Sequence, residues 1–170
     1  IVNGDDLYGS KNFSKLNTYL EKNITNYIGG LPILKTIVGE GKVNRGVLFV
    51  NEDNKIIELQ EKLNISKDDS TIAGLTANVN FLVFTSPTIL YLSELLLSFK
   101  QKYKDHPSIE CFITESVNEL IQKKKIEFNL LSLEESVIGL TRQEDVSFVR
   151  QKLLQNTNVC SVPEPFRIKM

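Results

Sequence analysis

The chain has 170 residues, enough for one domain with its own core or for a piece of a larger one. Hydrophobic residues make up 41% and charged residues 24%, which excludes a disordered or fibrous chain and fits a soluble globular one. With 20 basic and 21 acidic residues the net charge is -1, so no basic footprint for nucleic acid is present.

Lys123-Lys124-Lys125 is the only basic run, and it reads as a solvated helix end. Cys111 and Cys160 stand far apart without a CxxC partner, which points to reduced thiols and away from a disulfide framework or a zinc site. No apolar run is long enough to span a membrane and no secretory segment opens the chain, so a cytoplasmic location is expected. The chain begins abruptly on Ile1-Val2-Asn3-Gly4-Asp5-Asp6 without an initiator Met, and is read as a fragment, a processed chain or one with residues before Ile1.

Ile1-Val2 reads as the end of a buried strand, and Asn3 to Gly9 as a loop of turn formers. Ser10 is placed to cap a helix from Lys11 to Lys22, with Phe13, Leu16, Tyr19 and Leu20 on one face. Tyr27 to Ile37, interrupted by Gly29-Gly30 and Pro32, reads as an irregular strand. Val47 to Val50 and Lys55 to Leu59 form a predicted hairpin around a turn at Asn51 to Asn54. A polar loop at Ser66 to Ser70 leads to a strand over Ala77 to Phe84.

Ser86-Pro87 opens a helix to about Tyr103, in which Leu90, Leu92, Leu95, Leu96 and Phe99 form a wide apolar face. After a loop at Lys104 to Ser108, a helix is predicted over Ile109 to Gln122, and a strand over Ile126 to Leu131. Val137 to Leu140 is a short strand or turn. Thr141 and Glu144 form a capping box for a last helix to Leu154, and Pro163 and Pro165 mark an extended tail. Strands alternating with helices, with one hairpin inserted, predict an α/β domain with a mixed sheet over residues 1–155 and a tail over 156–170.

Asp5-Asp6 follow the first predicted strand, where open α/β sheets bind ligands and where a carboxylate suits a hard divalent cation. Asp and Asn also simply favour turns, and from the motif alone that plainer reading prevails. Glu61-Lys62 pair a carboxylate for hydroxyls with an ammonium for phosphate, or are an ordinary strand end. Arg45-Gly46 precede a strand, where glycine admits close approach of a ligand or simply makes a turn. Asn78 and Asn80 alternate with Val79 and Phe81, so both amides face one side, toward backbone or toward a polar ligand. His106 and the pair Glu134-Glu135 read as surface residues; no nucleophile signature accompanies the histidine.

Taken in order, these segments resemble the sugar-1-phosphate nucleotidyltransferases (NDP-sugar pyrophosphorylases), and most closely the bacterial branch whose metal loop reads N-A-D-D-F-Y-G. Here that loop stands as Asn3-Gly4-Asp5-Asp6-Leu7-Tyr8-Gly9. The N-T-L-S-x-x-G-x-V-x-R-G-V stretch is matched by Lys35-Thr36-Ile37, Gly41, Val43 and Arg45-Gly46-Val47, and V-E-K by Gln60-Glu61-Lys62. S-M-N-M-W-G-F is matched by Asn78 to Phe84, and E-x-x-L-P-x-x-V-N-E-L-I by Glu110 to Ile113 and Val117 to Ile121. W-F-G-V-T-x-x-E-D is matched by Val137 to Thr141 with Glu144-Asp145. The resemblance covers about residues 1 to 155.

The resemblance implies a mixed, mainly parallel Rossmann-like sheet with an inserted β-hairpin, in a partial domain lacking its N-terminal half. It implies Asp5 as a catalytic residue and Mg²⁺ ligand, Lys62 as a catalytic contact to phosphate or sugar, and Glu61 as the contact to sugar hydroxyls. Gly46 is then the close-approach glycine, and Asn80 and Glu110 wall the sugar pocket. The implied partners are a nucleoside triphosphate and a sugar phosphate, together with the absent half or a second copy of the chain; neither nucleic acid nor membrane is implied. The family's glycine-rich triphosphate loop lies upstream of the metal loop and is not in this sequence. Gly139 stands where many members carry a second metal carboxylate, although this branch commonly has glycine there, and Val137 and Leu82 replace the branch's tryptophans. A second reading follows from these departures: a catalytically inactive binding or regulatory module on the same fold.

Overall fold

The computed structural model describes residues 1–37, 41–106, 108–139, 146 and 149–151. Ten elements carry the architecture: β1 (Asp6–Leu7), α1 (Ser10–Lys22), β2 (Asn26–Pro32), β3 (Val43–Val50), β4 (Ile56–Ile65), β5 (Thr76–Val83), α2 (Ser86–Lys102), α3 (Ile113–Gln122), β6 (Phe128–Ser132) and β7 (Ile138–Gly139). Five strands form one mixed sheet in the order β4-β3-β5-β2-β6, and β1 pairs with β7 in a separate two-stranded ribbon.

The sheet is mixed, as expected. Its pairings correct the expectation of mainly parallel strands: β2–β6 is parallel, while β3–β4, β3–β5 and β2–β5 are antiparallel. The reason lies in the connections. Asn51 to Lys55 closes the β3–β4 hairpin directly, whereas β2 and β6 are separated by the long crossover that parallel pairing needs.

Alternation along the strands divides the core between two faces. Ile28, Leu48, Leu59, Leu82 and Phe128 point to one side, where Val117 and Ile121 of α3 and Leu92 of α2 cover them. Tyr27, Leu31, Phe81 and Leu131 point to the other, under Leu16, Tyr19 and Leu20 of α1. Phe128 is fully buried, and its ring meets Phe84 edge-on at 6.0 Å. Such a side chain contributes roughly 2–3 kcal/mol of burial, plus roughly 0.5–1.5 kcal/mol from the edge-to-face contact.

Several boundaries differ from expectation for local reasons. Ile1-Val2 is not a strand, although the Ile1 nitrogen donates to the Leu82 carbonyl at 2.6 Å and the Ile1 carbonyl accepts from Leu82 at 2.8 Å. Ser10 is the first residue of α1 rather than its cap; the cap position is Gly9, at φ 72°. Ile33–Thr36 is a 3₁₀ turn after Pro32 rather than more strand. Arg45-Gly46 lie within β3, because the hairpin arms extend to Val43 and Ile65. The hairpin turn is as expected: Asn51 Oδ1 accepts from the amides of Asp53 and Lys55, and Asn54 adopts φ 59°.

Residues 109–112 precede α3 instead of belonging to it. The apolar face expected on α2 is only partly covered: Leu90 and Leu96 are exposed, as are Ile89 and Leu97. This helix is apolar on most sides, and a single side of it can meet the sheet and α3. Of the helix predicted over 141–154, residues 146 and 149–151 are described and are helical. Its Thr141–Glu144 capping box, the matched Glu144-Asp145, Cys160 and the tail lie outside the described residues. No helix among the described residues is long and apolar enough to cross a membrane.

Candidate active site

The acidic loop is held by one buried tyrosine. Tyr8 is 4% exposed, and its ring packs on Phe81 at a centroid distance of 5.4 Å. Its hydroxyl donates to the Val79 carbonyl at 2.9 Å and lies 3.3 Å from the Asn80 carbonyl and from Asp6 Oδ2. The same hydroxyl accepts the Asn3 amide at 3.2 Å, and Asn3 Nδ2 donates to Asp6 Oδ2 at 2.8 Å. Burial, and then repulsion from Asp6 and Asp5, push the Tyr8 phenol up to about 12. Asp5 is exposed and makes no hydrogen bond or ion pair among the described residues, so both of its carboxylate oxygens are open to a ligand.

β5 continues the site. A register shift between Gly29 and Gly30 leaves Val79 and Asn80 as a bulge, with Asn80 at φ 55°. The simple alternation expected there is therefore broken. The two amides still meet: Asn78 Nδ2 donates to Asn80 Oδ1 at 3.1 Å, and Asn78 Oδ1 accepts the Asn80 amide at 2.9 Å. A side chain at Gly46 would stand 3.6 Å from Asn78 Cβ and 3.5 Å from Glu61 Oε2, so glycine keeps the floor between them open. The register Gly46↔Glu61 brings that carboxylate over from β4.

Arg45 is anchored beside this line of residues. Its Nε donates to Thr36 Oγ1 at 3.1 Å and its guanidinium to the Thr36 carbonyl at 2.6 Å, which anchors it on the 3₁₀ turn. Burial lowers its pKa, while Glu61 first and Asp6 second act to raise it. A continuous line of neighbours thus runs from Asp6 through Tyr8, Asn80, Asn78 and Gly46 to Glu61; Arg45, the register partner of Lys62, stands beside it and forms no ion pair with either terminal carboxylate among the described residues.

The other sequence candidates stand apart from this line. Lys62 follows Glu61 in the strand and so points to the opposite face; its charge reaches Asp69, whose carboxyl is held low mainly by hydrogen bonds from Thr71 and then by Lys62. Glu110 is exposed ahead of α3, and no hydrogen bond or ion pair among the described residues joins it to the cluster. Gly139 is the direct β7 partner of Asp6. His106 is on the surface, as expected. Glu135 is not: it is half-buried and accepts the Lys11 amide at 2.8 Å, which corrects its reading as a solvated residue. Asn118, in the matched α3 motif, accepts the Leu59 amide at 2.9 Å, and so serves an edge strand rather than a ligand.

The donor set suits Mg²⁺. Two adjacent carboxylates offer hard oxygens, and such an ion commonly takes one or two of these and completes its shell with water and phosphate. No group of three or more acidic, His or Cys side chains gathers among the described residues, so oxygens from a substrate would supply the remainder. Concavities of about 430 Å³ at Gly30, Pro32, Lys35 and Glu134, and about 300 Å³ at Tyr19, Asp53 and Asn129, lie outside this line of residues.

Solved structures share this fold. One is the CTP:phosphocholine cytidylyltransferase LicC of Streptococcus pneumoniae, at TM-score 0.55 and 14% identity over 89% of this chain and 56% of that one. Another is a protein assigned as a glucose-1-phosphate thymidylyltransferase of Bacillus anthracis, solved with sucrose, at TM-score 0.58 and 14% identity over 89% and 52%. The fold is that of the nucleotidyltransferases. The chain spans little more than half the length of these nucleotidyltransferase chains. No family model and no curated protein matches the sequence.

Proposed function

We propose that this chain is the acceptor-facing part of a nucleotidyltransferase that joins a nucleotide to a sugar 1-phosphate and releases pyrophosphate. The observation that supports it is the unbroken path from the acidic loop to Glu61 across an open Gly46 floor, on a nucleotidyltransferase fold. Asp5, with Asp6 beside it, would hold Mg²⁺, which when bound neutralises charge on the phosphates. Glu61 accepts hydroxyl hydrogen bonds from the acceptor, and the Asn78–Asn80 pair offers further polar contacts. Arg45 adds positive charge to the neighbourhood of both carboxylates. An oxygen of the acceptor phosphate attacks the α-phosphorus as the bond to the pyrophosphate oxygen breaks. The acceptor class and Lys62's contact to phosphate rest on the sequence resemblance, and for Lys62 the opposite-face placement requires a change of side-chain direction.

The test is pyrophosphate release with Mg²⁺, each of the four nucleoside triphosphates and a panel of sugar 1-phosphates and phosphorylated alcohols. The 170 residues alone are expected to be inactive. A chain joined to a glycine-rich phosphate-binding segment is expected to turn over, and Asp5→Asn to remove most of that activity. An unchanged rate in Asp5→Asn would remove this residue from the mechanism. A second reading is a non-catalytic binding or regulatory module on the same fold. Nucleotide binding without turnover in the joined chain would select it.

A further inference from the structure

The acidic loop has no regular structure of its own beyond the two-residue β1, yet its far end is fastened with unusual completeness. Asn12 is fully buried in the first turn of α1. Its Oδ1 accepts the amides of Glu134 and Glu135 at 2.9 and 3.1 Å. Its Nδ2 donates to the Tyr8 carbonyl and, at 3.0 Å, to the Glu135 carbonyl. Every hydrogen-bonding position of this amide is used, and each partner lies at the end of the acidic loop or in the segment entering β7. Glu135 answers from the other side. Its carboxylate accepts the Lys11 amide at 2.8 Å and so caps α1 in place of the side chain that Gly9 lacks. A side chain at Gly9 would collide with that carboxylate.

We propose that Asn12 and Glu135 are positioning residues, a two-sided clamp that fixes the acidic loop against the β7 segment and thereby sets where Asp5 and Asp6 stand relative to Gly139. The proposal rests on the reading of that loop as the metal-and-phosphate site. Neither residue touches the reacting groups. Both act through the register Asp6↔Gly139 and Leu7↔Ile138, which begins three residues beyond Glu135. Two residues of strand pairing are too few to hold themselves in water, so the register needs an outside constraint. A buried, fully bonded amide supplies one with little freedom.

Hydrogen exchange separates this role from general stability. In Glu135→Ala, exchange in segments 3–9 and 134–139 should rise about tenfold or more, while amides of Ile28 and Leu131 in the central strands stay unchanged. Glu135→Gln keeps the acceptor oxygen and should restore most of the protection. Glu135→Asp is one methylene too short for the Lys11 amide, and gives the same reading where the alanine variant does not fold. Unchanged exchange, or a uniform rise that includes Ile28 and Leu131, overturns the clamp. Mn²⁺ affinity, followed by electron paramagnetic resonance, should fall about tenfold in Glu135→Ala against a wild type that binds through Asp5; an equal affinity there also overturns it. A wild type that binds no Mn²⁺, or an Asp5→Asn chain that binds it equally, fails the reading of the loop, and the exchange data then decide the clamp alone.

Discussion

Replacing Tyr8 with phenylalanine isolates the hydroxyl that organises the acidic loop. The ring stays, and with it the 5.4 Å packing on Phe81. The Val79 carbonyl and the Asn3 amide lose their partner. At neutral pH the variant should be less stable by about 1–2 kcal/mol, the cost of leaving such groups unpaired. A second signature depends on pH. In the unfolded chain a tyrosine ionises near 10, and in the folded chain Tyr8 does so at about 12. Its folded-state pKa is raised, so the neutral phenol's contribution is complete below pH 10 and is lost as pH climbs toward 12. That difference is a few kcal/mol at most, of which about 1 kcal/mol is gone by pH 11. Urea unfolding of both proteins at pH 7, 9, 10 and 11 cancels the lysines and the other tyrosines, Tyr27 included. The stability gap between wild type and Tyr8→Phe should hold to about pH 9 and narrow by about 1 kcal/mol at pH 11. A gap that is constant across the series, or that widens, refutes the argument that burial and the neighbouring carboxylates keep this phenol neutral.

Gly30→Ala should lower the urea midpoint, because the new methyl would lie 2.5 Å from Thr76 Cγ2 and 2.8 Å from Leu130 Cδ1; a loss of about 1–3 kcal/mol is expected. Asn26→Ala should cost about 2–4 kcal/mol in the same assay, since Asn26 Oδ1 accepts the Thr85 amide at 2.8 Å and the buried Thr88 hydroxyl at 2.6 Å at the start of α2. Asn118→Ala should speed exchange of the Leu59 amide at least tenfold while the Leu82 amide keeps its protection, because Asn118 Oδ1 is the acceptor of the former alone.

Much of the architecture was legible in the sequence because it is written in local rules. Alternation found β5, helical periodicity found α1 and α2, and the turn formers Asn51 to Asn54 between two short apolar runs announced the hairpin, though only part of each arm. The order of short motifs pointed to the nucleotidyltransferase fold that the solved structures share. Other features depend on neighbours that the sequence does not identify. Ser10 has the chemistry of a cap, yet Glu135, more than 120 positions away, occupies that role. The alternation of Asn78 and Asn80 is a local pattern, and a bulge set by pairing with Gly29-Gly30 breaks it. Glu61 and Lys62 read as one functional pair, although a strand sends consecutive side chains to opposite faces.

Residue types and their spacing determined which groups could carry chemistry here: the carboxylates of the acidic loop, Arg45 with Gly46, and Glu61. Tertiary structure alone decided that a line of contacts would run from Asp6 to Glu61, that Asp6 would lie opposite Gly139, and that Asn12 would be buried between the acidic loop and the segment entering β7. The physical reason is distance along the chain. Turn chemistry, capping and periodicity act within a few residues, whereas burial, register and electrostatics are sums over segments that meet only when the sheet closes.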